Sequence, residues 1–256
     1  MNHDIKIMGD GFISPGEYEK ISIMGDATST GNVKASQVKV NGNAVFSGDC
    51  DFGSLKINGD ATVKGSLISK YLKINGDLTV DKNCQLDTLI VRGDAKFNYD
   101  IECNNVTVYG DTKLKGNLKA KEVSVVGHIS VDGDIECENI VIDGSIDCNG
   151  LINSEDITIY LKGKSRCNEV GATNINIRKQ NNKSILTFLS LSSILTKSFK
   201  CRTIEGDYIK LKNCDITNIR GKQVDIISNC NIDNIEYTSN LNISKNSTVK
   251  NHVKIG

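Results

Sequence analysis

Tryptophan is absent from this 256-residue chain, proline occurs once, at Pro15, and aromatic side chains make up only 5% of it. Flat side chains on which bases could stack are therefore scarce, and they do not interleave with a basic patch, so nucleic acid is not expected as a partner. No apolar run approaches the roughly twenty residues of a membrane-spanning helix, which leaves no candidate transmembrane segment. No glycine-rich loop opens a helix to cradle phosphate. Histidine is limited to His3, His128 and His252, scattered along the chain, and no cysteine pair has the C-x-x-C spacing of a zinc site. Metal, cofactor and catalytic residues are accordingly assigned to no position. Met1-Asn2-His3-Asp4 is polar, unlike a secretory signal, so a cytoplasmic location is expected.

What the chain has instead is one phrase that returns at a nearly constant interval: Ile57-Asn58-Gly59-Asp60, Ile74-Asn75-Gly76-Asp77, Val91-Arg92-Gly93-Asp94, Val108-Tyr109-Gly110-Asp111. The apolar residue two before the glycine serves as a marker. It recurs at Ile7, Ile23, Val40, Ile57, Ile74, Val91, Val108, Val125, Ile142 and Ile159, with one step of 16 and eight of 17. Looser steps carry it on through Ile177, Ile194, Leu211, Ile226 and Ile243, giving fifteen candidate coils. A fixed period of this size means a supersecondary unit stacked on copies of itself.

Within a coil the apolar residues alternate, as in Leu89-x-Val91-x-Gly93-x-Ala95-x-Phe97. Period two is strand, with one face wet. Glycine marks two corners. One column runs through Gly25, Gly42, Gly59, Gly76, Gly93, Gly110, Gly127 and Gly144, and a second through Gly31, Gly48, Gly65, Gly116, Gly133 and Gly150. Such columns imply positive φ angles or close backbone approach. A third corner falls near Asn104-Asn105 and Lys121-Glu122. Three short strands and three turns in each period describe an all-β fold: a single-stranded β-helix, or solenoid, drawn out as a rod. About six inward side chains per coil would form its core.

The nine cysteines follow the same columns. Cys50 and Cys84 share an inward position with Val33 and Leu67, and Cys103 and Cys137 share one with Ala35 and Leu86. Cysteine here is a small hydrophobe in a reducing compartment. Charge is balanced in total but not along the chain. Residues 1–160 carry 15 Lys/Arg against 24 Asp/Glu, and residues 161–256 carry 16 against 7. Complementary ends or flanks that steer self-association follow as an expectation.

Three segments result: a regular β-helix over 5–177, irregular coils or an inserted segment over 178–202, and a weaker continuation over 203–256, where asparagine replaces glycine at the turns. An uncapped solenoid exposes an open apolar core and unpaired strand edges at each end. Ile5, Ile7, Phe12 and Ile13 are the candidates at one end, and Leu241, Ile243, Val249, Val253 and Ile255 at the other.

The runs from Ile23-Met24-Gly25-Asp26-Ala27 to Ile142-Asp143-Gly144-Ser145-Ile146, with the opening Ile7-Met8-Gly9-Asp10-Gly11 and Pro15-Gly16-Glu17-Tyr18, resemble the bactofilins, polymer-forming bacterial cytoskeletal proteins. The resemblance covers residues 5–160 well and the rest weakly. It implies a right-handed β-helix that joins end to end into filaments without nucleotide, with itself as first partner and with cell-envelope or membrane-associated proteins near the inner face of the membrane as further ones. The typical tails and the short apolar membrane-targeting N-terminus are missing here. A β-solenoid serving as scaffold or binding module is the alternative. Hexapeptide-type acyltransferases are a distant third, since their coils want three equal hexapeptides and an active-site histidine, and this chain divides a shorter period irregularly.

Overall fold

The computed structural model describes residues 3–179 and 198–256. Among the described residues there is no helix, and the strands form a parallel β-solenoid of about 14 turns with roughly 17-residue spacing between stacked strands. The chain falls into two compact units, Met1–Glu122 with Gly127–Gly133, and Val123–Val126 with Asp134–Gly256.

One coil of the first unit shows how the sequence writes the fold. Strand Cys50–Ile57 is followed by Asp60–Val63. Cys50, Asp51 and Phe52 pair with Leu67, Ile68 and Ser69, and pairing resumes at Ser54 opposite Tyr71. Gly53 is skipped, so the longer strand bends there and each coil makes three short ladders. Inward lie Cys50, Phe52, Leu55, Ile57, Ala61 and Val63, all buried, while Asp51, Lys56 and Asp60 point to solvent. Six buried positions per coil match the alternation. At roughly 1.5–3 kcal/mol for each large aliphatic buried, they allow the solenoid to stand without helices.

The markers pair as the period requires. In the first unit Ile7 faces Ile23, Ile23 faces Val40, and the column continues through Ile57, Ile74, Val91 and Val108. In the second, Ile142 faces Ile159 and Ile159 faces Ile177. Ile177 then faces Leu211 directly, and the column passes on to Ile226 and Ile243. Ile194, the fifteenth marker, and most of the segment read as irregular coils or an insertion lie outside the described residues. The flanking ladder closes from Ser165–Lys179 to Phe199–Lys212 in one step.

The glycine column owes its composition to close approach. Positive φ among the described glycines is confined to Gly16 and Gly256. A Cβ at Gly59, Gly76 or Gly93 would instead lie 2.1 to 2.2 Å from the carbonyl oxygen of the glycine one coil earlier. At the second corner the neighbouring coil is held by side chains as well: Asn32 Oδ1 accepts from Asp49 N at 2.9 Å, and Asp49 Oδ1 from Ser66 N at 2.8 Å. In the second unit the turn chemistry changes to asparagine. Asn213 and Asn229 take φ of 63° and 53°, the left-handed region that asparagine tolerates best after glycine.

Candidate assembly surfaces

Among the described residues the first coil, His3–Ile7 and Gly11–Ile13, pairs with the second coil alone. The last strand, Thr248–Lys254, pairs only with Asn231–Ile243 among the described residues. Each therefore presents a row of unpaired backbone N–H and C=O groups, the feature that recruits another strand.

Register sorts the nine end residues read from the sequence. Ile5, Ile7 and Ile13 continue inward columns, opposite Ile21, Ile23 and Ser29. Ile7 and Ile13 are nonetheless covered, at 8% and 1% exposure. Phe12, opposite Thr28, points out of the coil and is 80% exposed. At the other end Leu241, Ile243 and Val249 extend inward columns over Val224, Ile226 and Ile232. Leu241 and Val249 are half-buried, and Ile243 is 38% exposed. Val253 lies over Glu236, an outward position, because His252 takes the inward place over Ile235. Ile255 follows the last pairing, its N–H donating to Tyr237 O at 2.8 Å. Alternation alone hides this sorting, since each bend shifts the parity by one residue.

The marker corner carries charge of opposite sign in the two units. In the first, Asp60, Asp77, Asp94 and Asp111 stand in register on consecutive rungs. All four are exposed, and among the described residues none makes an ion pair or a side-chain hydrogen bond. In the second unit, the same corner carries Lys162, Lys164, Arg178, Lys179, Lys212 and Lys245. Lys162 pairs with Asp143 at 2.7 Å, and Arg178 lies over the Tyr160 ring at 4.8 Å. The formal split of the two halves softens once coils are assigned. The first unit holds 15 Lys/Arg against 17 Asp/Glu and the second 16 against 14. The stretch from Glu122 to Leu161 has no Lys or Arg, but Asp143 and Asp147 are met by Lys162 and Arg166 of the following coil.

The remaining chemistry is internal or dispersed. All nine cysteines are free and buried. Cys148, Cys167 and Cys201 stack rung on rung. Burial pushes the Cys50 and Cys84 thiols up to about 12 and Cys103 to about 11. A hydrogen bond with Cys167, added to burial, raises Cys148 further. Thiols held protonated are poor nucleophiles. A hydrogen bond with Cys214 instead lowers Cys230, so in the native protein at pH 8 Ellman's reagent is expected to leave Cys50, Cys84, Cys103 and Cys148 unmodified, and to modify all nine cysteines after denaturation; rapid native labelling of those four would overturn the core assignment. His128 stands opposite Asp111 and His3 opposite Tyr18. No group of three or more His, Cys, Asp or Glu among the described residues could hold a metal, and no helix there is long and apolar enough to cross a membrane. A shallow groove of about 590 Å³ follows the skipped-residue bend in the first unit, with Ile68, Lys70, Asp87 and Glu102 among its lining. The sequence marks this corner at Asn104 and Lys121, both in the lining, but a bend without a glycine column gives no sign of a groove.

Residues 66–159 match the family model Bactofilin, described as polymer-forming cytoskeletal, and over those residues the resemblance read from the repeat is borne out. Comparison with curated proteins and with solved structures gives no match.

Proposed function

We propose that this bactofilin-type solenoid is a noncatalytic structural protein that assembles end to end into filaments without nucleotide. The match to the family model over residues 66–159 and the solenoid fold support a structural scaffold. The observation that supports assembly is the last coil, where Leu241, Ile243 and Val249 continue the core columns with no further coil over them among the described residues. Joining that surface to another chain removes apolar area from water and satisfies the unpaired strand edge in one step. No bound energy source is needed for a contact of this kind.

Ile7, though part of an inward column, is covered, so a charge there tests folding as much as assembly. Ile243→Lys is the cleaner change, because the position is already partly exposed. In negative-stain images and sedimentation with no nucleotide added, it is expected to convert filaments into short species. Val253→Lys, on the outward column, is expected to leave them long. Wild-type protein that stays monomeric across salt would sink the reading.

A further inference from the structure

Four carboxylates on consecutive rungs repel one another. In parallel in-register strands such rungs are roughly 4.8 Å apart, and Asp60, Asp77, Asp94 and Asp111 have no ion-pair partner among the described residues. Neighbouring corner positions in those coils hold Asn58, Asn75, Arg92 and Tyr109, and the Arg92 guanidinium lies over the Tyr109 ring at 5.7 Å. The arrangement is unfavourable for the isolated coil stack unless something cationic completes it.

The matching cations occur on the same chain, at the same corner of the repeat. Lys162 and Lys164 flank Gly163 in one turn, Arg178 and Lys179 begin the next, and Lys212 follows Leu211 in the coil stacked on it. Lys162 is paired, but Lys164, Lys179, Lys212 and Lys245 have no ion-pair partner among the described residues. The other bases of the second unit are largely committed: Arg220 bridges Glu205 and Glu236, Lys222 holds Asp207, and Lys250 holds Asp233. Lys200, Lys210 and Lys254 also have no ion-pair partner among the described residues, so four of the seven uncommitted lysines described in the second unit lie at this corner. Asp60, Asp77, Asp94 and Asp111 repeat on successive rungs, whereas Lys179 and Lys212 stand opposite Leu161 and Ser228, so the basic corner is a cluster and not a column.

We propose that the basic corner of the second unit docks on the Asp60–Asp111 ladder of a second copy of this chain, joining copies side by side. An acidic ladder and a basic cluster that both lack ion-pair partners among the described residues are complementary surfaces for two copies of one chain. The contact is lateral, goes beyond end-to-end assembly and stands without it. Charge pairs of this exposed kind set orientation and association rate, and salt screens them.

Two reversals test it: Asp60→Lys, Asp77→Lys and Asp94→Lys in one variant, and Lys164→Glu, Lys179→Glu and Lys212→Glu in another. All six side chains are at least partly exposed, and circular dichroism with thermal midpoints verifies that both variants fold. The readouts are filament bundle width by negative stain and sedimentation in the Ile243→Lys background, so that lateral and end contacts are scored separately. Each reversal alone is expected to weaken lateral association at least tenfold at low salt and to remove its salt dependence. Mixing the two variants, or placing all six changes on one chain, restores it. Unchanged bundles in the single reversals, or no recovery in the mixture, overturn the proposal. So does a basic corner that binds phosphatidylglycerol vesicles while copies show no lateral association.

Discussion

Gly76→Ala is expected to destabilise the protein by about 3 kcal/mol or more, at or beyond the upper end of what overpacking usually costs, whereas Gly9→Ala should change stability by less than about 0.5 kcal/mol. Both glycines occupy the same place in the same phrase. A Cβ on Gly76 would lie 2.2 Å from Gly59 O and 2.9 Å from Asn58 O, whereas a Cβ on Gly9 meets nothing within 4 Å. The obstacle is backbone, which has no rotamer to turn aside, so the two coils must part where Asp77 N donates to Gly59 O at 3.1 Å. A solenoid is stable through its nearest-neighbour interfaces, and a parted pair weakens the whole stack. Urea midpoints for the two variants read the difference. Equal losses would show that the glycines serve the chain's conformation and not its stacking.

That contrast marks what the sequence carries and what it does not. The period, the six inward columns and the three bends are legible because each coil repeats the same local rule, and an error in one coil is corrected by its neighbours. Reading glycine as a corner residue is sound, but the choice between positive φ and close approach depends on the coil beneath, which local sequence does not contain. The Asn213 and Asn229 turns are legible for the opposite reason, since left-handed φ is a property of the residue itself. At the ends the repeat offers no neighbour to correct against. Phe12 and Val253 are apolar and terminal, yet register turns both outward, and Ile13 is inward but already covered. The two formally opposite halves overstated the asymmetry for a similar reason: acids of one coil meet bases of the next, as Asp143 meets Lys162. What survives is the narrower opposition at the marker corner.

Raising the pH above 9 is expected to unfold the protein steeply through its buried thiols. In the unfolded chain a cysteine loses its proton near the ordinary value of 9.0, while burial holds Cys50 and Cys84 protonated to about 12 and Cys103 to about 11. The native state then binds more protons than the unfolded state. Stability present below pH 9 is therefore lost as the pH climbs toward the folded values. Each thiol contributes a slope of about 1.4 kcal/mol per pH unit in that window, so the three together would remove about 4 kcal/mol per unit, comparable with the whole stability of many domains. Tyrosine and lysine titrate in the same range, and the protein's own columns supply the control. Val33 occupies the column of Cys50 and Cys84, and Ala35 that of Cys103 in the next ladder position. A Cys50→Val, Cys84→Val, Cys103→Ala chain should thus fold at neutral pH with a modest loss and show a much shallower fall in urea midpoint from pH 9 to 11. Equal slopes in the two proteins would mean that these thiols ionise as readily in the folded coil as in the unfolded chain, and that the cysteine columns are not the dry core the register makes them.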